Sequence, residues 1–195
     1  MKNRKETKRK GFTLVELLIV IVVIGILSAM MMLSSTEAVS SARASTIVSN
    51  LRNLKTAALA WYVDNMDKIV LADGVYKIDT TGDGKGNMLI SDYVDEKNSE
   101  ILKYLSNGDS INLKGKKNTT ADTYMLVAAK KAKKLYVCYV LSASDTQVKV
   151  KLASKANSVG LLGTNNPNVN GDADIDQDAY KAQKYVCMLA FKIDD

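Results

Sequence analysis

The spacing of hydrophobic and polar positions changes character along this chain. From Phe12 to Leu33 the order is FTLVELLIVIVVIGILSAMMML, 22 residues with Thr13, Glu16 and Ser28 as the only polar side chains. That stretch is apolar on every side. Beyond Leu33 polar residues return, and Ile47, Leu51, Leu54, Ala58 and Trp61 or Tyr62 recur at the i, i+3, i+4, i+7 spacing of an amphipathic helix. Ser49, Asn50, Arg52, Asn53 and Lys55 fill the other face. No Pro or Gly interrupts the chain between Ile26 and Asp73. The pattern predicts one long helix from Thr13 to Asn65, bare and apolar in its first half and packed along one face in its second.

Later the pattern shortens. Glycines at 82, 84 and 86 mark a loop. Asp92–Leu105 reads as a short helix with Ile101, Leu102 and Leu105 inward. Tyr124–Ala128, Leu135–Leu141, Gln147–Leu152 and Tyr185–Ile193 alternate or are rich in β-branched and aromatic residues, so they read as antiparallel strands. Asn157–Asp178 is polar and loop-like. The fold class is α+β: a long N-terminal helix packed on a small antiparallel β-sheet head. The organisation is a basic segment at 1–11, an apolar helix at 12–33, its amphipathic continuation at 34–66, and a globular head at 67–195.

With 195 residues the chain has room for one globular domain beside the apolar segment. The net charge of +6 is unevenly placed. Residues 1–11 carry six basic groups and one acid, net +5, and the remainder carries 21 basic and 20 acidic residues. Nucleic-acid binding is not indicated, because it needs a basic face on a folded domain. Lys130, Lys131, Lys133 and Lys134 form a cluster between two strands and read as a solvated hairpin end, with a patch for an acidic partner as the sharper alternative. The chain has no His, which excludes Ser-His-Asp and Cys-His catalysis and His-ligated metal sites. No nucleophile–base pair, strand–helix phosphate loop or zinc ligand set stands out, so an enzyme is not expected. A membrane-anchored binding module or enzyme is the competing class.

A helix of 22 residues spans roughly 33 Å, about the thickness of a bilayer's hydrocarbon core. Basic residues before it and none within it place the N-terminus in the cytoplasm and the head outside. A secretory signal would have a shorter core and a clear small-residue site; Ser28-Ala29-Met30 matches weakly. A plain anchor fits the length. Neither explains Glu16, since a carboxylate in an apolar run costs free energy unless it finds a partner. That partner is either upstream or the N-terminus of another chain.

Lys10-Gly11-Phe12-Thr13-Leu14-Val15-Glu16, leading into an unbroken apolar helix, resembles the N-terminus of the type IV pilin superfamily, which includes type II secretion and competence pseudopilins. The resemblance covers the first quarter to third of the chain. It implies cleavage after Gly11 by a prepilin peptidase, methylation of the new N-terminus at Phe12, and pairing of Glu16 with the Phe12 amine of a neighbouring subunit. A carboxylate and an ammonium are each costly in an apolar bundle, and pairing them relieves both and fixes register. The implied partners are other pilin-like subunits and an inner-membrane assembly platform with its ATPase. The implied location is the cytoplasmic membrane, then a surface or periplasmic filament. Many pilins carry a proline late in the apolar run; here Leu33 stands about there, and the single proline is Pro167. The alternative within the family is a pseudopilin of a secretion or DNA-uptake system.

Two further features belong to the head. Cys138 and Cys187 share a Tyr-Val-Cys context in two expected strands. An exported domain permits a disulfide, and two buried thiols acting as small apolar residues are the alternative. Many pilins have a disulfide near the C-terminus. Asp79, Thr81, Asp83 and Asn87 stand at the offsets of a calcium loop, with Gly84 at its turn, but Ile90 replaces the closing Glu. Asn166–Asp178 repeats alternating oxygen ligands. Asx-rich turns are the commoner explanation of both stretches, and calcium is the sharper one.

Overall fold

The computed structural model describes residues 11–72, 75–82, 87–90, 93–94, 97–105, 111–114, 120–129, 134–165 and 179–193. The chain divides into two compact units, with the boundary between Val39 and Ser40. Helix α1 runs Leu14–Asp64, so the long helix expected from periodicity forms nearly to its predicted ends.

In the first unit α1 is exposed on all sides: side chains from Phe12 to Met32 that are large and apolar stand about half to nine-tenths open. The helix is long and apolar enough to cross a membrane.

The second unit builds its core on the rest of α1. Ala44, Ile47, Val48, Leu51, Leu54, Ala57, Ala58 and Trp61 are all buried, at the spacing that puts them on one face. A short 3₁₀ turn at Met66–Lys68 follows. Then come β1 (Ile69–Ala72), β2 (Val75–Asp79) and β3 (Asn87–Leu89), an antiparallel sheet in the order β1-β2-β3. Of the helix expected at Asp92–Leu105, Tyr93 and Val94 are helical and helix α2 covers Asn98–Leu102, while 92, 95 and 96 lie outside the described residues. Lys97 has φ −110° and ψ 25° and starts α2 afresh. Ile101 is buried, and Leu102 and Leu105 pack beside it.

The larger sheet has the order β4-β5-β7-β6, with β4 at Thr123–Ala129, β5 at Lys134–Val140, β6 at Leu162–Thr164 and β7 at Tyr185–Lys192. All its pairings are antiparallel. Alternate side chains serve opposite faces. Tyr124, Leu126, Val137, Tyr139, Val186 and Met188 join the core that includes α1. Met125, Val127, Tyr136, Cys138, Val140 and Cys187 form a second buried cluster. Cys138 lies directly opposite Cys187 across β5 and β7, and the two are disulfide-bonded. The β5–β7 register shifts between Leu135 and Tyr136, leaving Ala190 as an extra residue. This bulge puts consecutive residues Ala190 and Phe191 into one core. Phe191 stacks on Tyr62 of α1, ring centroids 4.4 Å apart.

One expected strand is a helix. Gln147–Leu152 belongs to α3, Thr146–Val159. Val148, Val150 and Leu152 alternate with lysines, which imitates a strand. The helix buries Val148, Leu152 and Ala156, four residues apart, and leaves Val150 exposed. The expected loop at 157–178 is corrected in its first part, since α3 runs to Val159 and β6 follows. Gly160 ends α3 at φ +72°, and the Leu161 amide donates back to the Ala156 carbonyl, a glycine-dependent helix stop. Lys130, Lys131, Lys133 and Asn166–Asp178 lie outside the described residues.

Arg43 ties three elements of this unit together. Its guanidinium donates to Asp122, before β4, at 2.9 Å and to Asp145, before α3, at 3.0 Å. The Tyr139 hydroxyl donates to the same Asp122 oxygen at 2.8 Å. Partial desolvation works against the Arg43 charge, but Asp145 and then Asp122 outweigh it, so its pKa stands above the ordinary value. Burial first, then the Asp122 hydrogen bond, raises the Tyr139 pKa.

Candidate functional site

The residues singled out for processing and assembly lie together at the start of α1. Gly11, Phe12 and Thr13 precede the helix and are exposed. The Gly11–Phe12 peptide bond therefore lies outside helical hydrogen bonding. A Cβ built on Gly11 meets nothing within 4 Å. Neither packing nor backbone conformation inside the described chain calls for glycine there. Phe12 is 91% exposed, the highest value among the large apolar side chains of this segment.

Glu16 has a local partner that the sequence reading missed. The Thr13 hydroxyl accepts the Glu16 amide at 3.2 Å, and Glu16 Oε2 accepts the Thr13 amide at 2.9 Å and the Thr13 hydroxyl at 3.0 Å. This is a capping box: two donors at the helix start that have no intrahelical acceptor are satisfied by each other's residue. Its signal, Thr-x-x-Glu before an apolar run, was present in Thr13-Leu14-Val15-Glu16. Oε1 makes no hydrogen bond to a described residue. The arrangement holds one carboxylate oxygen on the chain's own backbone and leaves the other available, one helical turn from Phe12.

The expected calcium residues fare differently. Asp79 Oδ1 accepts the Thr81 amide, the Thr81 hydroxyl and the Gly82 amide, each at 3.0 Å. That is an Asx turn. Asn87 opens β3 opposite Asp79, and Asp83 lies outside the described residues. Asp79, Thr81 and Gly82 line a hollow of about 550 Å³ with Lys68, Tyr93 and Lys97. Two ammonium groups thus stand around the described part of the loop. Among the described residues no three acidic or Cys side chains gather as metal ligands.

Residues 7–32 match the family model of the prokaryotic N-terminal methylation motif. No curated protein and no solved structure matches the chain. The match begins in the basic segment, crosses Gly11, Phe12 and the Thr13–Glu16 cap, and ends in the apolar helix. Over residues 7–32 the chain therefore carries the prepilin signal of type IV pilins and pseudopilins.

Proposed function

We propose that this protein is a structural subunit of a type IV pilus-like filament. A prepilin peptidase cuts after Gly11 on the cytoplasmic side, Phe12 becomes the methylated N-terminus, and the subunit polymerises through the apolar helix. The observation that carries the reading is the methylation motif at 7–32 running unbroken into a 51-residue helix whose first part exposes apolar side chains all round. Such a surface needs an apolar surrounding. Lipid supplies one and a bundle of like helices supplies another, so moving between them costs little.

The parts divide as follows in this reading. Gly11 leaves room for the peptidase around the scissile bond. The free Glu16 oxygen receives the Phe12 ammonium of an adjoining copy, and only one axial offset lets it do so. The exported head, braced by the Cys138–Cys187 disulfide, faces outward. Mass spectrometry of the protein purified from its own membrane tests the first step. A mature chain beginning at methylated Phe12 is expected; a membrane pool made only of uncut chain overturns the proposal.

A further inference from the structure

A groove on the second unit, between α1 and α3, has a composition that neither processing nor polymerisation uses. Ser45, Val48, Ser49, Arg52 and Asn53 of α1 and Lys155 and Val159 of α3 line a hollow of about 310 Å³ that is open to solvent, and Ser49, Arg52 and Asn53 are exposed. Their spacing, four and three or four residues apart, aims them at one strip of each helix. No carboxylate lines the groove. Lys155 Nζ donates to Ser45 Oγ at 3.0 Å, and Ser45 Oγ donates in turn to the Ser41 carbonyl. Lys155 is thereby tied to α1 with donors to spare. Among the described residues, the side chains of Ser49, Arg52 and Asn53 make no hydrogen bond or ion pair. Val48 is buried and forms an apolar floor.

Two cations with no ion-pair partner among the described residues and two neutral polar side chains thus line the same small hollow. A cation would meet two like charges there, and an apolar ligand would take water from the donors without replacing its hydrogen bonds. An arginine fork matches two oxygens of one oxyanion, and an ammonium adds charge without demanding direction. The volume lies at the small end of ligand pockets. We propose that this groove binds a small dianionic oxyanion of the phosphate class.

Inorganic phosphate is the probe, added to the ¹⁵N-labelled full chain in a nonionic detergent, with chloride at matched ionic strength as the reference. Saturable shifts are expected at the amides of Ser49, Arg52, Asn53 and Lys155 with phosphate and not with chloride. R52Q and K155Q should each weaken phosphate binding about tenfold, the scale of one charge-assisted hydrogen bond. K103Q, a lysine of an exposed turn, should leave it unchanged. Equal responses to phosphate and chloride in the unaltered chain overturn the proposal, and so does undiminished binding by the R52Q/K155Q pair with its near-ultraviolet spectrum intact.

Discussion

Thr13 and Glu16 cap the same helix start for each other: the hydroxyl of one accepts the amide of the other at 3.2 Å, and the carboxylate returns the favour at 2.9 Å. The carboxylate therefore has two separable duties in the proposed filament, capping its own helix and neutralising a neighbour's amine. Substitutions can divide them. Thr13→Val removes the hydroxyl half of the cap and keeps the charge and the Thr13 amide bond, at about 1 kcal/mol of helix-end stability. Glu16→Gln keeps an oxygen for the Thr13 amide and loses the charge. Filament recovered by shearing, normalised to subunit in the membrane, should fall by no more than a few-fold for Thr13→Val and to background for Glu16→Gln. The reverse order would mean that Glu16 is only a cap.

Arg43 faces two carboxylates in unequal settings. The Asp122 side chain is 54% exposed and that of Asp145 only 14%, with Asp145 Oδ2 buried and unpartnered among the described residues. Removing the guanidinium strands the less exposed acid. Arg43→Met should cost about 1–3 kcal/mol. In double-mutant cycles by urea unfolding, coupling to Asp145 should exceed coupling to Asp122, which is expected below about 1 kcal/mol because water screens that pair. A larger coupling to Asp122 would contradict this ranking.

How far the sequence revealed these features depends on how local each one is. Helix α1 was legible because Ile47, Leu51, Leu54, Ala58 and Trp61 keep helical spacing with no breaker between them. Strands β4, β5 and β7 were legible from runs such as Leu135–Val140. Helix α3 was not, because Val148-Lys149-Val150-Lys151-Leu152 satisfies a two-residue period as well as a four-residue one. Ala156 and Gly160, further on, decide for the helix. The capping box was written in four adjacent residues, but an acid in a greasy run drew attention to distant partners instead. The Arg43 cluster joins positions 79 and 102 residues apart, so no local pattern announces it. The Ala190 bulge is likewise a property of strand pairing, and it alone brings Phe191 onto Tyr62.

The Cys138–Cys187 bond closes a loop of 49 residues between strands at the centre of the larger sheet. Constraining an unfolded loop of that length stabilises the fold by about 4 kcal/mol in the chain-entropy account. The Cys138→Ala/Cys187→Ala chain should lose a similar amount in urea unfolding, and adding reductant should not weaken it further. The unaltered chain should lose stability in reductant. Indifference of both to reductant, with full stability in the double variant, would remove the bond's role.

Gly160 and Gly163 are glycines for different reasons. Gly160 has open space around a would-be Cβ but a left-handed φ of +72°. Gly163 has ordinary backbone angles, but a Cβ there would meet Gln183 Oε1, the Tyr180 ring at 2.8 Å and the Tyr180 Cα at 3.1 Å. Gly160→Ala should cost about 1 kcal/mol, a backbone penalty. Gly163→Ala must push Tyr180 and Gln183 away from β6, at about 1–3 kcal/mol. Thermal unfolding should show the larger loss at Gly163. Gly163→Ala should also disturb the near-ultraviolet signal of the tyrosines, while Gly160→Ala leaves it in place.

Tyr180 makes alkaline stability informative. Its side chain is buried, its hydroxyl donates to the Gln183 carbonyl at 2.9 Å, and burial raises its pKa above the ordinary tyrosine value. The folded chain then holds this proton more tightly than the unfolded one. The contribution is complete below the unfolded value of about 10 and is lost as pH climbs from there toward the folded value. The slope approaches about 1.4 kcal/mol per pH unit once the unfolded tyrosine is ionised and the folded one is not. Lysines also titrate there, so the comparison must be with Tyr180→Phe. That variant loses one hydrogen bond at neutral pH, about 1 kcal/mol, but it has no proton to release. Its unfolding midpoint in urea should therefore decline less steeply between pH 9 and pH 11 than that of the unaltered chain, over a range set by the ordinary tyrosine value near 10. Parallel curves would show that the phenol ionises as readily folded as unfolded.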